Sequence, residues 1–177
     1  VPVLGSWAPG NTGFTYWRSN KVGAGASTPA PLVLWTTRGA QSLLPAVLMY
    51  RDFVSWSPDG HALAAVASVR PPGSAMLLGQ ITVVPVSPPG PAQELTDAGR
   101  ADGDAAWSPD GSLIAYASSV VPPTGSTAMT ARRIWSEAPD GSNRRPLSTG
   151  PQDSFPQWSR NGRAILSVHQ TGDGAQL

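Results

Sequence analysis

The pentapeptide Trp-Ser-Pro-Asp-Gly occupies residues 56–60 and recurs unchanged at 107–111, with degenerate copies at Trp7-Ala8-Pro9-Gly10 and Trp158-Ser159-Arg160-Asn161-Gly162. The four tryptophans stand 49, 51 and 51 residues apart. A period of about 50 residues implies a stack of similar supersecondary units, none of which buries its apolar surface alone. The approximate repeats are 1–49, 50–100, 101–151 and a truncated 152–177, together forming a single unit over residues 1–177.

Each repeat has the same order of parts. A strand ends at the tryptophan, as in Phe53-Val54-Ser55-Trp56, and Ser-Pro-Asp-Gly makes the turn. Proline presets φ near about −65°, aspartate bonds neighbouring amides, and glycine takes the positive φ that closes a hairpin. A second strand is expected at 14–17, 63–67, 113–117 and 164–168, and a third at Val33-Leu34-Trp35, Ile81-Thr82-Val83-Val84 and Arg133-Ile134-Trp135. A fourth ends at Leu44, Leu95 and Leu147, after turns around Gly39, Gly90 and Asp140-Gly141. With 19 glycines and 19 prolines in 177 residues, turns are dense, and no clear helical period emerges. The expected fold class is all-β: a β-propeller of four-stranded antiparallel blades, about four in number.

These residues resemble a known family. Trp-Ser-Pro-Asp-Gly, then Leu113-Ile114-Ala115-Tyr116, Ile134-Trp135, Pro139-Asp140-Gly141-Ser142 and a Leu-Ser or Leu-Thr pair resemble the repeat of TolB-type β-propellers. The same repeat occurs in the propellers of prolyl oligopeptidase and dipeptidyl peptidase relatives. The resemblance covers nearly the whole chain. It implies a cell-envelope protein as partner and a periplasmic or other extracytoplasmic location. It also implies six or more blades where this chain has about three and a half to four, which leaves three arrangements open: part of a larger ring, a four-bladed ring in which residues 1–4 supply a closing strand, or half of a homodimer that completes the ring. Open edges would expose strands that tend to pair.

Composition excludes several classes. A net charge of +1 with 13% charged residues provides no basic field for nucleic acid. The absence of cysteine excludes disulfides, thiolate metal sites and cysteine nucleophiles. No apolar run is long enough for a transmembrane segment, and residues 1–4 are not a signal peptide.

In a four-stranded blade the turns joining strands one to two and three to four share one end. The loops joining two to three, and one blade to the next, share the other. Loops 18–31, 68–79 and 118–131 are long and differ between copies, which marks their end as the place for binding. Interblade loops bring Asp52, Asp102, Asp104 and Asp153 to the same end, just before the inner strands. Two readings of these carboxylates stay open. Each caps the turn entering its strand, or together they ring the mouth of a central channel and bind a cation or a basic partner side chain.

Other candidates read as structure. The motif tryptophans read as blade-to-blade packing, and Asp59 and Asp110 as turn residues. His61 and His169 read as ordinary surface or satisfied residues. Asp102-Gly103-Asp104 opens like a calcium loop but lacks the later ligands. With no nucleophile elbow, phosphate loop or zinc motif, no catalytic residue, metal or cofactor is assigned. The leading expectation is a non-enzymatic scaffold that binds a protein or peptide. The alternative is the regulatory propeller of a peptidase whose catalytic domain lies outside this chain, and a weaker third is a polysaccharide lyase.

Overall fold

Strand order follows chain order in all four sheets of the computed structural model, which describes residues 2–18, 29–48, 54–72, 77–120, 131–171 and 174–176. The first sheet is β1 (Pro2–Trp7), β2 (Gly13–Arg18), β3 (Pro29–Thr36) and β4 (Gly39–Leu48). The second is β5 (Ser55–Trp56), β6 (Ala62–Val69), β7 (Leu78–Pro85) and β8 (Gln93–Glu94). The third is β9 (Arg100–Trp107), β10 (Ile114–Val120), β11 (Arg133–Glu137) and β12 (Arg145–Pro146). The fourth is β13 (Asp153–Trp158), β14 (Ile165–Thr171) and β15 (Gly174–Gln176). All pairings within the sheets are antiparallel, as a propeller blade requires.

Three expectations need correction. The fourth copy does not stop after its second strand, because Gly174–Gln176 pairs back onto His169, Gln170 and Thr171. Residues 2–4 do not close a ring onto the fourth sheet, since Pro2 and Val3 pair with Arg18 and Trp17 of their own blade. The second and third strands run further than expected, shortening the loops between them to 19–28, 70–77 and 121–132. Most of those loop positions lie outside the described residues.

The repeated turn is held by its own side chains. In the second blade the Ser57 hydroxyl accepts the Ala62 N–H at 2.9 Å and donates to Asp59 Oδ1 at 2.6 Å, while Asp59 Oδ1 accepts the His61 N–H at 2.9 Å. Ser108 and Asp110 repeat the pattern at 2.9, 2.6 and 3.0 Å in the third. In the fourth, Ser159 and Asn161 do so at 3.0, 2.8 and 3.1 Å. The turn glycines 60, 111 and 162 take φ of 74°, 75° and 69°, a region an L side chain enters at a cost.

Successive turns also nest at these glycines, at ordinary van der Waals distances. A Cβ on Gly60 would meet the Pro9 ring at 3.7 Å, one on Gly111 the Pro58 ring at 3.4 Å, and one on Gly162 the Pro109 ring at 3.8 Å. The series changes at both ends of the chain: Arg160 holds the proline position of the fourth copy, and Asn11, at φ 57°, holds the glycine position of the first.

The motif tryptophans of the second, third and fourth blades pack at the junction with the blade before their own. Trp56 lies on a cluster that includes Trp17, Leu32 and Leu44 of the first blade. Trp107 lies on a cluster that includes Ala64, Val66 and Ile81 of the second, and Trp158 on Ala115, Ala117 and Ile134 of the third. Polar bonds cross the same junctions, from Trp107 N–H to Ser55 Oγ at 2.9 Å and from Trp158 Nε1 to the Ala106 carbonyl at 3.0 Å. Trp7, in the first of the described blades, is 61% exposed. Replacing Trp107 with alanine should therefore lower stability by about 3 kcal/mol or more. Trp7→Ala should change it by less than about 1 kcal/mol in dilute solution; urea denaturation of both variants checks the contrast.

Candidate functional site

The inner strands of the third and fourth blades bring three of the four expected carboxylates to the end where the interblade loops enter. Asp52 lies outside the described residues. Asp102 on β9 faces Ser118 across the ladder, and Asp153 on β13 faces His169 at the equivalent place. Both are buried. Asp104 stands at a bulge, with the register shifting between Ala115 and Ala117 and φ of 58°. Phe155 repeats that bulge in the fourth blade at φ 52°.

Two of these carboxylates have close cationic or imidazole partners. Asp104 Oδ2 accepts from Arg132 Nη2 at 2.8 Å and from the Phe155 N–H at 3.3 Å, so one carboxylate ties β13 to the third blade. Arg132 adds two backbone bonds to the same boundary: its N–H donates to Pro151 O and its carbonyl accepts from Asp153 N–H, both at 2.9 Å. Asp153 Oδ1 lies 2.7 Å from His169 Nδ1, and the pair sits so close to Gly150 that a Cβ there would meet the carboxylate at 2.7 Å. His169 lies within β14 rather than after it. Sequence reasoning did not single out Arg132 or Phe155, whose neighbours are set by the fold rather than by proximity in the chain.

Asp102 belongs to a different group, at the junction of the second and third blades. Its oxygens have no hydrogen-bond partner in ordinary geometry, and the Arg100 guanidinium stands 4.0 Å away. Burial pushes the carboxyl above its ordinary range, against the pull of Ser118, Thr96 and Arg100. Burial also raises Glu137, with Tyr116 and Arg144 opposing, and it raises the Tyr116 phenol, reinforced by Glu137. Beside them the Trp135 ring carries two guanidinium contacts, from Arg100 at 5.2 Å and Arg144 at 5.0 Å. Arg144 also reaches Asp97 at 3.7 Å. Gly79 makes the junction close, because a Cβ there would clash with the Asp102 carbonyl.

The opposite end holds a feature that the repeat did not suggest. A cleft of about 510 Å³ opens between the first two blades, beside the β3–β4 turn. Leu34, Val86 and Pro89 provide apolar walls; Thr36, Arg38 and Gln41 provide polar ones. Trp56 also lines it, and its Nε1 is buried without a hydrogen-bond partner. Arg38 is exposed at the tip of the hairpin. Its backbone N–H bonds Thr36 Oγ1 at 3.1 Å. Among the described residues, no group of three or more His, Cys, Asp or Glu side chains is arranged to hold a metal ion.

No protein-family model and no curated protein sequence matches the chain. Solved structures do match. A TolB structure from Agrobacterium tumefaciens superposes with a TM-score of 0.66 at 20% identity, over 94% of this chain and 53% of that one. TolB from Acinetobacter baumannii gives 0.68 at 18% identity, over 97% and 38%. The fold is that of a TolB-type β-propeller. An oligogalacturonate lyase in complex with manganese shares it, at a TM-score of 0.62 and 16% identity over 95% of this chain and 46% of that one. The chain thus spans about half or less of each of these structures. At such identities the TolB-type fold fixes the frame and leaves the activity to the site. Among the described residues no helix is long and apolar enough to cross a membrane.

The shifts in ionisation have opposite signs, which sets the pH dependence. Asp110 is held down to about 2, chiefly by the Ser108 hydroxyl, and Asp59 is lowered by Ser57. Their contribution is present above the ordinary carboxylate range and is lost as pH falls through their lowered values. Asp102 and Glu137 are raised, so their contribution is greatest below the ordinary range and declines as pH rises through their raised values. The double variant Asp102→Asn, Glu137→Gln should therefore have a higher urea midpoint than wild type at neutral pH. It should also lose the decline from acidic to neutral pH, as a series of urea curves across that range will read.

Proposed function

We propose that the chain is a non-enzymatic β-propeller scaffold that binds a protein or peptide outside the cytoplasm, in the cell envelope. The observation that carries this reading is the cleft between the first two blades. It pairs apolar walls with the Arg38 guanidinium and the hydroxyl and amide groups of Thr36 and Gln41, a mixture suited to a peptide segment, whose side chains need apolar surface and whose backbone needs hydrogen-bond partners. The resemblance to TolB-type repeats supports an envelope partner.

A second contact is proposed at the other end, around Asp102 and Asp104 within β9, Asp153 at the start of β13 and, from the sequence, Asp52. There the Asp104–Arg132 and Asp153–His169 pairs would act as a stiff frame under a partner's basic side chain. A homodimer that completes the ring is proposed as well.

Selection of a displayed random-peptide library on the immobilised protein tests the binding reading. Enriched peptides should bind wild type at least tenfold better than Arg38→Glu, a change that reverses charge on an exposed turn and leaves the core alone. Loss with Arg132→Ala instead would move the peptide contact to the loop end. No enrichment, or enrichment indifferent to both substitutions, would rule the reading out.

A further inference from the structure

The outer strands of the first three blades differ in length and in what guards them. β4 spans 10 residues, whereas β8 and β12 span 2 each. Each stands last in the order of its sheet, so one edge of each faces away from its own blade. An outer strand lies at the perimeter of a propeller whatever the number of blades. Along such an edge alternate residues turn an N–H and a carbonyl outward, and proteins blunt it with charge, with proline or by keeping it short. β8 is short and holds Glu94; β12 is short and holds Arg145 and Pro146. Residues 39–44 of β4, Gly-Ala-Gln-Ser-Leu-Leu, hold neither charge nor proline, and Gly39, Ala40, Gln41 and Ser42 are exposed.

That edge begins in the peptide cleft. Gly39, Ala40 and Gln41 open β4 and also line the cleft. Gln41 pairs with Leu34 and Gly39 with Thr36 across the ladder, and all four line the cleft, which therefore continues one face of this sheet. From Gly39 to Ser42 the pairing with β3 runs without a break; the register slips between Ser42 and Leu44, and Pro45 has no N–H to donate. An added strand thus has room for about six residues, roughly 20 Å. Among the described residues that line the cleft, Arg38 alone is charged, and it immediately precedes the strand.

We infer that the bound segment is the C-terminal end of a partner protein, which adds to β4 along residues 39–44 as an antiparallel fifth strand and sets its terminal carboxylate against Arg38. Charge decides the direction. β4 starts beside Arg38, so an antiparallel strand ends there and presents a carboxylate to the guanidinium. A parallel strand that began there would present an ammonium group instead. Carboxylate and guanidinium form charge-assisted hydrogen bonds, whereas two cations repel. Backbone pairing supplies affinity that does not depend on sequence, and alternate side chains of the added strand fall on the cleft face, where Leu34 and Gln41 stand. The occupant is therefore extended, free at its C-terminus and apolar at alternate positions.

Strand addition rests on the peptide-binding reading of the cleft, and the experiment separates the two. The probe is a hexapeptide library displayed with free C-termini and selected on the immobilised protein; enriched sequences are then made as N-acetylated peptides in acid and amide forms. The acid should bind at least about tenfold tighter than the amide, and Arg38→Glu should abolish that difference. Methylating the peptide's backbone nitrogens should weaken binding about tenfold or more at every second position and little at those between, because alternate N–H groups pair with β4. Hydrogen exchange should slow at alternate amides within residues 39–44 when peptide is bound. Peptides that depend on Arg38 yet tolerate methylation throughout, and leave exchange in 39–44 unchanged, would keep the cleft as a peptide site and overturn strand addition. Acid and amide forms of equal affinity would overturn the assigned direction. No enrichment at all would remove the cleft reading and strand addition together.

Discussion

The indole of one blade lying on the small apolar residues of the blade before it is the contact on which the other features depend. A four-stranded meander of this length has apolar side chains on both faces and too little chain to cover either. Burial therefore happens between blades, and stability becomes a sum of neighbouring terms rather than a property of one central core. The buried clusters follow this logic: two draw on two adjacent sheets, and the third, Ala115, Ala117 and Ile134, is packed against by Trp158 and Ile165 of the next sheet. The residues that bring sheets close are small for the same reason: alanines at 64, 115 and 117 receive the next blade, and Gly79 lets a backbone approach where any side chain would collide.

Polar groups are drawn into the junctions as well, with different outcomes. Between the third and fourth blades Asp104 meets Arg132 and the Phe155 amide, so the charge is matched where it is buried. Between the second and third, Asp102 and Glu137 are buried with less compensation, and Arg100 and Arg144 spend their charge on the face of Trp135. Burial favours the neutral form of a carboxyl, and it pushes Asp102 and Glu137 above their ordinary range against the pull of the nearby guanidiniums.

Much of the fold was legible in the sequence because its signals are local. Ser-Pro-Asp-Gly specifies its own turn through φ preferences and through a hydroxyl and a carboxylate that bond amides only a few residues away, and the serine and aspartate bonds match between the second and third blades within 0.1 Å. Alternating apolar residues then identify the strands. The short strand at Gly174–Gln176 escaped because it holds no large apolar residue and exists only as a partner to β14. The site was legible in part. The spacing of Asp102 and Asp153 from their tryptophans correctly made them equivalent, but their cross-strand neighbours, Ser118 and His169, give them different chemistry. Arg132 lies 28 residues from Asp104, and only the bulge at Asp104 sets the direction of that carboxylate. The cleft depends on the length of the first blade's outer hairpin and on how two blades meet, neither of which a motif encodes.

The nesting of proline on glycine bears on how such arrays change length. The two unbroken copies of the pentapeptide each hold both halves of the clasp, Pro58 and Gly60 in one and Pro109 and Gly111 in the other. A duplication or deletion whose ends fall within these matching segments adds or removes one whole blade, and every seam it leaves joins a proline to a glycine already shaped to receive it. Copy number can then drift without any interface having to be invented.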